Sequence, residues 1–98
     1  MQLSTKQKQH LKAQAHPLKT VVQLGSNGLT EGVIAEIEAA ISHHELIKVK
    51  APGAEKELRD QIAATIAEQT QSELVQIIGN VMVFYRTSDL NKIQLPRR

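Results

Sequence analysis

Ninety-eight residues, 41% of them apolar and 22% charged, suffice for one domain around a single core and leave no room for a second. The absence of cysteine excludes disulfides, thiolate metal sites and thiol nucleophiles. No apolar run approaches a membrane span or a signal peptide, so a cytoplasmic protein with no membrane partner is expected. The net charge of +2 is small but segregated. Residues 1–20 hold Lys6, Lys8, Lys12 and Lys19 with no acid, while residues 31–45 hold Glu31, Glu36, Glu38 and Glu45 with no Lys or Arg. A folded surface with one basic and one acidic side follows, a distribution suited to a polyanion.

In chain order, Ser4 with Gln7 three residues on forms a capping-box pattern, which starts a helix running to Ala15 and ending before His16-Pro17. Leu11, Ala15 and the flanking Leu18 define its apolar side, and Lys8, Lys12 and His16, four apart, form a narrow basic stripe. An apolar strand covers Thr20–Leu24. Gly25-Ser26-Asn27-Gly28 makes a turn, and Thr30 caps a second helix whose Val33, Ile34, Ile37, Ala40 and Ile41 recur at helical spacing as far as His43-His44. Leu46–Ala51 alternates as a strand, with Ile47 and Val49 on one side and Lys48 and Lys50 on the other. Pro52-Gly53 then breaks the chain before a third helix over Glu55–Gln69, marked by Leu58, Ile62 and Ile66. Strands Leu74–Ile78 and Val81–Arg86 close the chain as a hairpin through Gly79-Asn80. The tail from Thr87 is polar and basic and is expected to be loosely held.

The order α-β-α-β-α-β-β predicts an α/β, two-layer sandwich with a four-stranded mixed sheet, and the polar strand positions Gln23, Lys48, Lys50 and Gln76 predict that one sheet face is not fully covered. The glycine turn lies between a strand and a helix N-terminus, where free backbone N–H groups and the positive end of the helix dipole meet. Glycine at both ends permits positive φ and lets a polymer approach with no Cβ in the way.

His16-Pro17-Leu18-Lys19, the apolar strand, Leu24-Gly25-Ser26-Asn27-Gly28-Leu29-Thr30 and the late Ile78-Gly79 with Tyr85-Arg86 together resemble the bacterial YhbY proteins, stand-alone members of the CRM domain family whose plant relatives include chloroplast RNA-splicing factors. The resemblance covers nearly the whole chain. It implies a fold similar to the C-terminal domain of translation initiation factor 3 and an RNA-binding role on precursors of the large ribosomal subunit. It also implies that the loop Gly25, Ser26, Asn27 and Gly28 approaches RNA as the loop of a KH domain does. Many relatives carry Lys or Arg inside this loop; Ser26 and Asn27 leave charge to come from elsewhere.

The expected mechanism is backbone clamping with electrostatic support: amides of the loop and of the second helix meet phosphates while lysines neutralise their neighbours. Lys8, Lys12 and Lys19 are the first candidates. Lys48, Lys50 and Arg86 follow, with their position relative to the loop left open by the sequence. Glu31 in the first turn suits the helix dipole and opposes an incoming phosphate unless it points away. Phe84 and Tyr85 are the only aromatics and should face opposite sides, so at most one ring reaches a base and backbone recognition should dominate. His43-His44 have no carboxylate spaced to complete a metal site, no catalytic motif can be assembled, and the glycine loop lacks the ending of a P-loop. The expectation is a monomeric, non-enzymatic RNA-binding protein with no cofactor and no small-molecule substrate. The rival is an adaptor that reaches the ribosome through protein contacts made by its acidic helix or a sheet edge.

Overall fold

The computed structural model describes residues 2–97. Helix α1 (Thr5–Ala15) opens on the full capping box: Ser4 Oγ accepts from the Gln7 amide at 3.1 Å and Gln7 Oε1 accepts from the Ser4 amide at 3.0 Å. Strand β1 (Thr20–Gln23) leads through the glycine turn to α2 (Glu31–His44), where Thr30 Oγ1 accepts from the Val33 amide at 3.2 Å. Strand β2 (Leu46–Lys50), helix α3 (Lys56–Thr70) and the hairpin of β3 (Glu73–Ile78) and β4 (Val81–Tyr85) complete the chain. Helix α3 stops at Gln71, in the left-handed region at φ 53°, and the hairpin turns through Gly79 at φ 59°.

The sheet order is β1-β2-β4-β3, with β1 parallel to β2 and the other neighbours antiparallel. The α/β order and the mixed four-stranded sheet agree with the sequence reading. Helices α2 and α3 cover one face, where Ile37, Ile41 and Ile66 meet Val22, Ile47, Val49, Met82 and Phe84. Alternation sends the intervening strand residues to the second face. There α1 packs Leu11 and Ala15 on Leu46, Val75, Val83 and Tyr85. The acid-free helix and the glutamate-rich helix therefore lie on opposite faces of the sheet.

The second face is covered at one end only. Register lines up three rows across it: Leu46, Tyr85 and Glu73; then Thr20, Lys48, Val83 and Gln76; then Gln23, Lys50, Val81 and Ile78. Helix α1 roofs the first row and part of the second. The third, nearest the glycine turn, is open, with Ile78 57% exposed.

The tail is tied down rather than loose. Ile93 and Leu95 pack beside Leu3 on the α1 face, and Gln7 Nε2 donates to the Pro96 carbonyl at 3.0 Å. The anchor is Glu45, which is fully buried at φ 68°. Its Oε2 accepts from the Ser88 amide (3.1 Å) and the Ser88 hydroxyl, and its Oε1 accepts from the Ile93 amide (3.0 Å). Burial pushes the Glu45 carboxyl up, but the Ser88 hydroxyl and the backbone amides of Ile93, Lys92 and Ser88 outweigh it and hold the group below its usual range.

Candidate nucleic-acid interface

Gly25-Ser26-Asn27-Gly28 is a closed turn in which the Gly28 amide donates to the Gly25 carbonyl at 3.0 Å. Two sequence expectations change here. Only Gly28 has a positive φ, at 70°. The anion cradle is also smaller than expected, since the Gly28 amide serves the turn and the Val33 amide serves the Thr30 cap. What remains outward are the amides of Ser26 and Asn27 at the exposed tip and those of Glu31 and Gly32 in the first turn of α2, all without an acceptor among the described residues. A Cβ built on Gly25 meets nothing within 4 Å, so this glycine is not required by packing.

The turn sits at the end of the sheet where the open row lies. The Leu24 amide donates to the Lys50 carbonyl at 2.9 Å, and Ala51 joins the Asn80 carbonyl at 2.8 Å. The Gly25–Gly28 turn, the Pro52-Gly53 loop and the Gly79-Asn80 turn therefore share one edge of the molecule. A small cleft of about 210 Å³ opens between the first two, walled by Leu24, Leu58 and Ile62.

Three of the candidate lysines converge. Lys12 on α1, Lys19 before β1 and Lys48 on β2 surround a cavity of about 410 Å³ above the open rows, and no acidic side chain lines it. Lys48 Nζ donates to the carbonyls of Leu18 (3.1 Å) and His16 (3.3 Å), which fixes this ammonium where α1 gives way to β1. Lys50 lies in the next row, beside Gln23 and the turn, and Lys8 lies one helical turn before Lys12. Among the described residues none of these five lysines is ion-paired. Their charge is available to a polyanion.

Arg86 does not join them. It follows β4 at the opposite end of the sheet, where its amide donates to the Glu45 carbonyl, about 16 Å from Lys50 at the usual strand rise of ~3.3 Å per residue. Its Nη2 donates to Glu38 Oε2 at 2.7 Å and Ser42 Oγ at 2.6 Å, and its Nη1 donates to the Thr70 carbonyl at 2.7 Å and Glu38 Oε1 at 3.0 Å. The hydrogen bond from Arg86 holds the Glu38 carboxyl below its usual range. The Arg86 guanidinium, a candidate RNA contact from the sequence, is engaged here in a clasp joining the C-terminal half of α2 and the end of α3 to β4. Arg86→Ala should cost about 1–2 kcal/mol of stability, after allowance for partial exposure of the pair, and should leave the salt dependence of RNA binding unchanged. Chemical denaturation and an RNA titration check the two halves separately.

The aromatics are likewise internal. Phe84 faces α2 and α3 and Tyr85 faces α1, opposite sides as expected, but both rings are buried. Burial raises the Tyr85 pKa. Neither ring can stack on a base.

Two residues at this edge escaped sequence reasoning. Arg59 of α3 donates to the Gly79 carbonyl beside the open row, and its position between Glu57 and Asp60 carries no local signal of that bond. Gln76 was read as a sign of an uncovered face, and it lines the lysine cavity directly. Among the described residues no helix is long and apolar enough to cross a membrane.

Comparison with known proteins places this geometry among relatives. The family described as the CRS1/YhbY (CRM) domain matches residues 3–86. A Haemophilus influenzae protein named "RNA-binding protein" is 58% identical over 98% of this chain and 97% of its own length. The Bacillus subtilis "Probable RNA-binding protein YqeI" is 38% identical over 96% of this chain and 99% of its own. The solution structure of a hypothetical protein from Staphylococcus aureus superposes with a TM-score of 0.86 at 40% identity, covering 97% of this chain and 100% of that one.

Proposed function

Given that the chain belongs to the CRS1/YhbY (CRM) domain family, we propose that it is a non-enzymatic RNA-binding protein that acts as a monomeric single domain on ribosomal RNA in precursors of the large subunit, in the cytoplasm. The observation that carries the RNA-binding part is the cavity ringed by Lys12, Lys19 and Lys48, which no acidic side chain lines, with Lys50 in the next row beside the glycine turn. Phosphates bridge from the ammonium groups on the sheet to the free amides of Ser26 and Asn27, so the polymer lies across the open row and over the turn. The names of the relatives support RNA as the ligand class. The ribosomal target rests on family resemblance.

The glycine turn offers a clean test. Gly25 is free of positive φ and its surroundings are empty, so Gly25→Ala should keep the stability within about 0.5 kcal/mol. RNA affinity should fall about tenfold, which is ~1.4 kcal/mol. Gly28→Ala forces a Cβ into the left-handed region and should cost about 1–2 kcal/mol of stability. Thermal denaturation with titration of a large-subunit RNA fragment measures both. Unchanged affinity in Gly25→Ala would remove the turn from the interface.

The adaptor reading draws on Leu18 and Val21, exposed beside edge strand β1. Sedimentation of cell extract on a sucrose gradient separates the two readings. Co-migration with large-subunit precursors that survives loss of RNA affinity would favour the adaptor.

A further inference from the structure

Resting on the RNA-binding reading above, we propose that the cavity ringed by Lys12, Lys19 and Lys48 receives a single unpaired nucleotide displaced from an RNA helix. Its base lies on the aliphatic floor of Ile78, Val81 and Val83, and its phosphates lie on the surrounding ammonium groups.

Phosphate recognition alone would need only a cationic surface. This site has cations at the rim and an apolar base, and the base is accessible because α1 ends short of the last sheet row. At about 410 Å³ it falls within the range of roughly 300–1,000 Å³ typical of small-molecule sites. An A-form duplex presents phosphates and ribose on a rounded surface and cannot lower an apolar face into such a recess. An unpaired nucleotide can, since it carries a flat, weakly hydrated ring on a charged backbone.

Gln76 supplies the polar element. It lines the recess in the same row as Lys48, and its side-chain amide has no partner among the described residues. One carbonyl and one NH₂ group can pair with a base edge as acceptor and donor. Lys48 cannot swing freely, because two of its protons are committed to the His16 and Leu18 carbonyls. The third is left to meet a phosphate from a fixed position. With both aromatic rings buried, aliphatic packing on Ile78 and Val81 takes the place of stacking.

The test compares two RNA hairpins of equal length and charge, one with a single-nucleotide bulge in its stem and one fully paired, titrated by fluorescence anisotropy. Wild-type protein should bind the bulged hairpin about tenfold more tightly. Ile78 is exposed and Gln76 half-buried, so Ile78→Ser combined with Gln76→Ala should fold, as circular dichroism can verify. This variant should bind both hairpins alike, with the salt dependence on the paired hairpin unchanged. Equal affinity of the wild type for the two hairpins overturns the nucleotide pocket and leaves the RNA-binding reading standing, as does a preference that persists in the double variant. Failure to bind either hairpin overturns both.

Discussion

Lys12→Ala combined with Lys19→Ala will flatten the salt dependence of RNA binding. Each phosphate contact contributes about 0.7 to 0.9 to the slope of log affinity against log salt, so two lost contacts remove about 1.4 to 1.8. The counterion term vanishes near 1 M salt. One decade below that, the double variant should bind about 25- to 60-fold more weakly than wild type. The pair suits the experiment because Lys12 is half-buried and Lys19 exposed, and neither is ion-paired among the described residues. Lys48 is the poorer choice, since its removal would also leave the carbonyls at the end of α1 without their donor. Titrations from 50 mM to 300 mM salt give the slope, and thermal denaturation confirms the fold. An unaltered slope would place the phosphate contacts on another face.

The largest stability effect should come from Glu45. Its carboxylate receives the Ser88 amide, the Ser88 hydroxyl and the Ile93 amide inside the protein. Hydrogen bonds to charged groups are worth about 1.5–3 kcal/mol each, so Glu45→Gln, which removes the charge and adds donors facing donors, should cost about 2–4 kcal/mol at pH 7. The pH dependence has a definite sign. The folded carboxyl titrates below its unfolded counterpart, which lies near ~4.3 for a free glutamate. Its contribution is therefore fully present above that unfolded value and disappears as pH falls through the lower folded one. Glu38, lowered by Arg86, acts in the same direction. Urea denaturation at pH 7 and at pH 3 should show wild type losing more stability on acidification than Glu45→Gln. Equal losses would show that the carboxylate does not hold the tail.

Local chemistry was legible in the sequence and distant pairing was not. The capping box at Ser4 and Gln7, the Thr30 cap, the apolar stripe of α2 and the tight turn at Gly79-Asn80 are encoded within a few residues, and the structure reproduces them. The polar positions Lys48, Lys50, Gln23 and Gln76 announced an incompletely covered face, and all four lie in the two rows around which the candidate site forms. By contrast, the Arg86 clasp to Glu38 and the Glu45 anchor of Ile93 each span 48 residues. Nothing near Arg86 distinguishes a structural guanidinium from a free one. Glu45 looked like one more acid in an acidic segment, because its burial depends on a tail that arrives after the sheet is complete. The weak apolar stripe of α1 likewise did not disclose which sheet face it would occupy.

The placement of β1 at the sheet margin gives the two parts of the candidate site different mechanical character. This strand has one neighbour, and its parallel ladder to β2 is short and shifts register between Thr20 and Val22, so fewer backbone bonds hold it than hold β2 or β4. The turn it carries is a compliant mounting. Strands β2 and β4 are each flanked on both sides and form an unyielding bed beneath the ammonium groups. A polymer spanning both meets a rigid anvil and a finger that can bend to its contour.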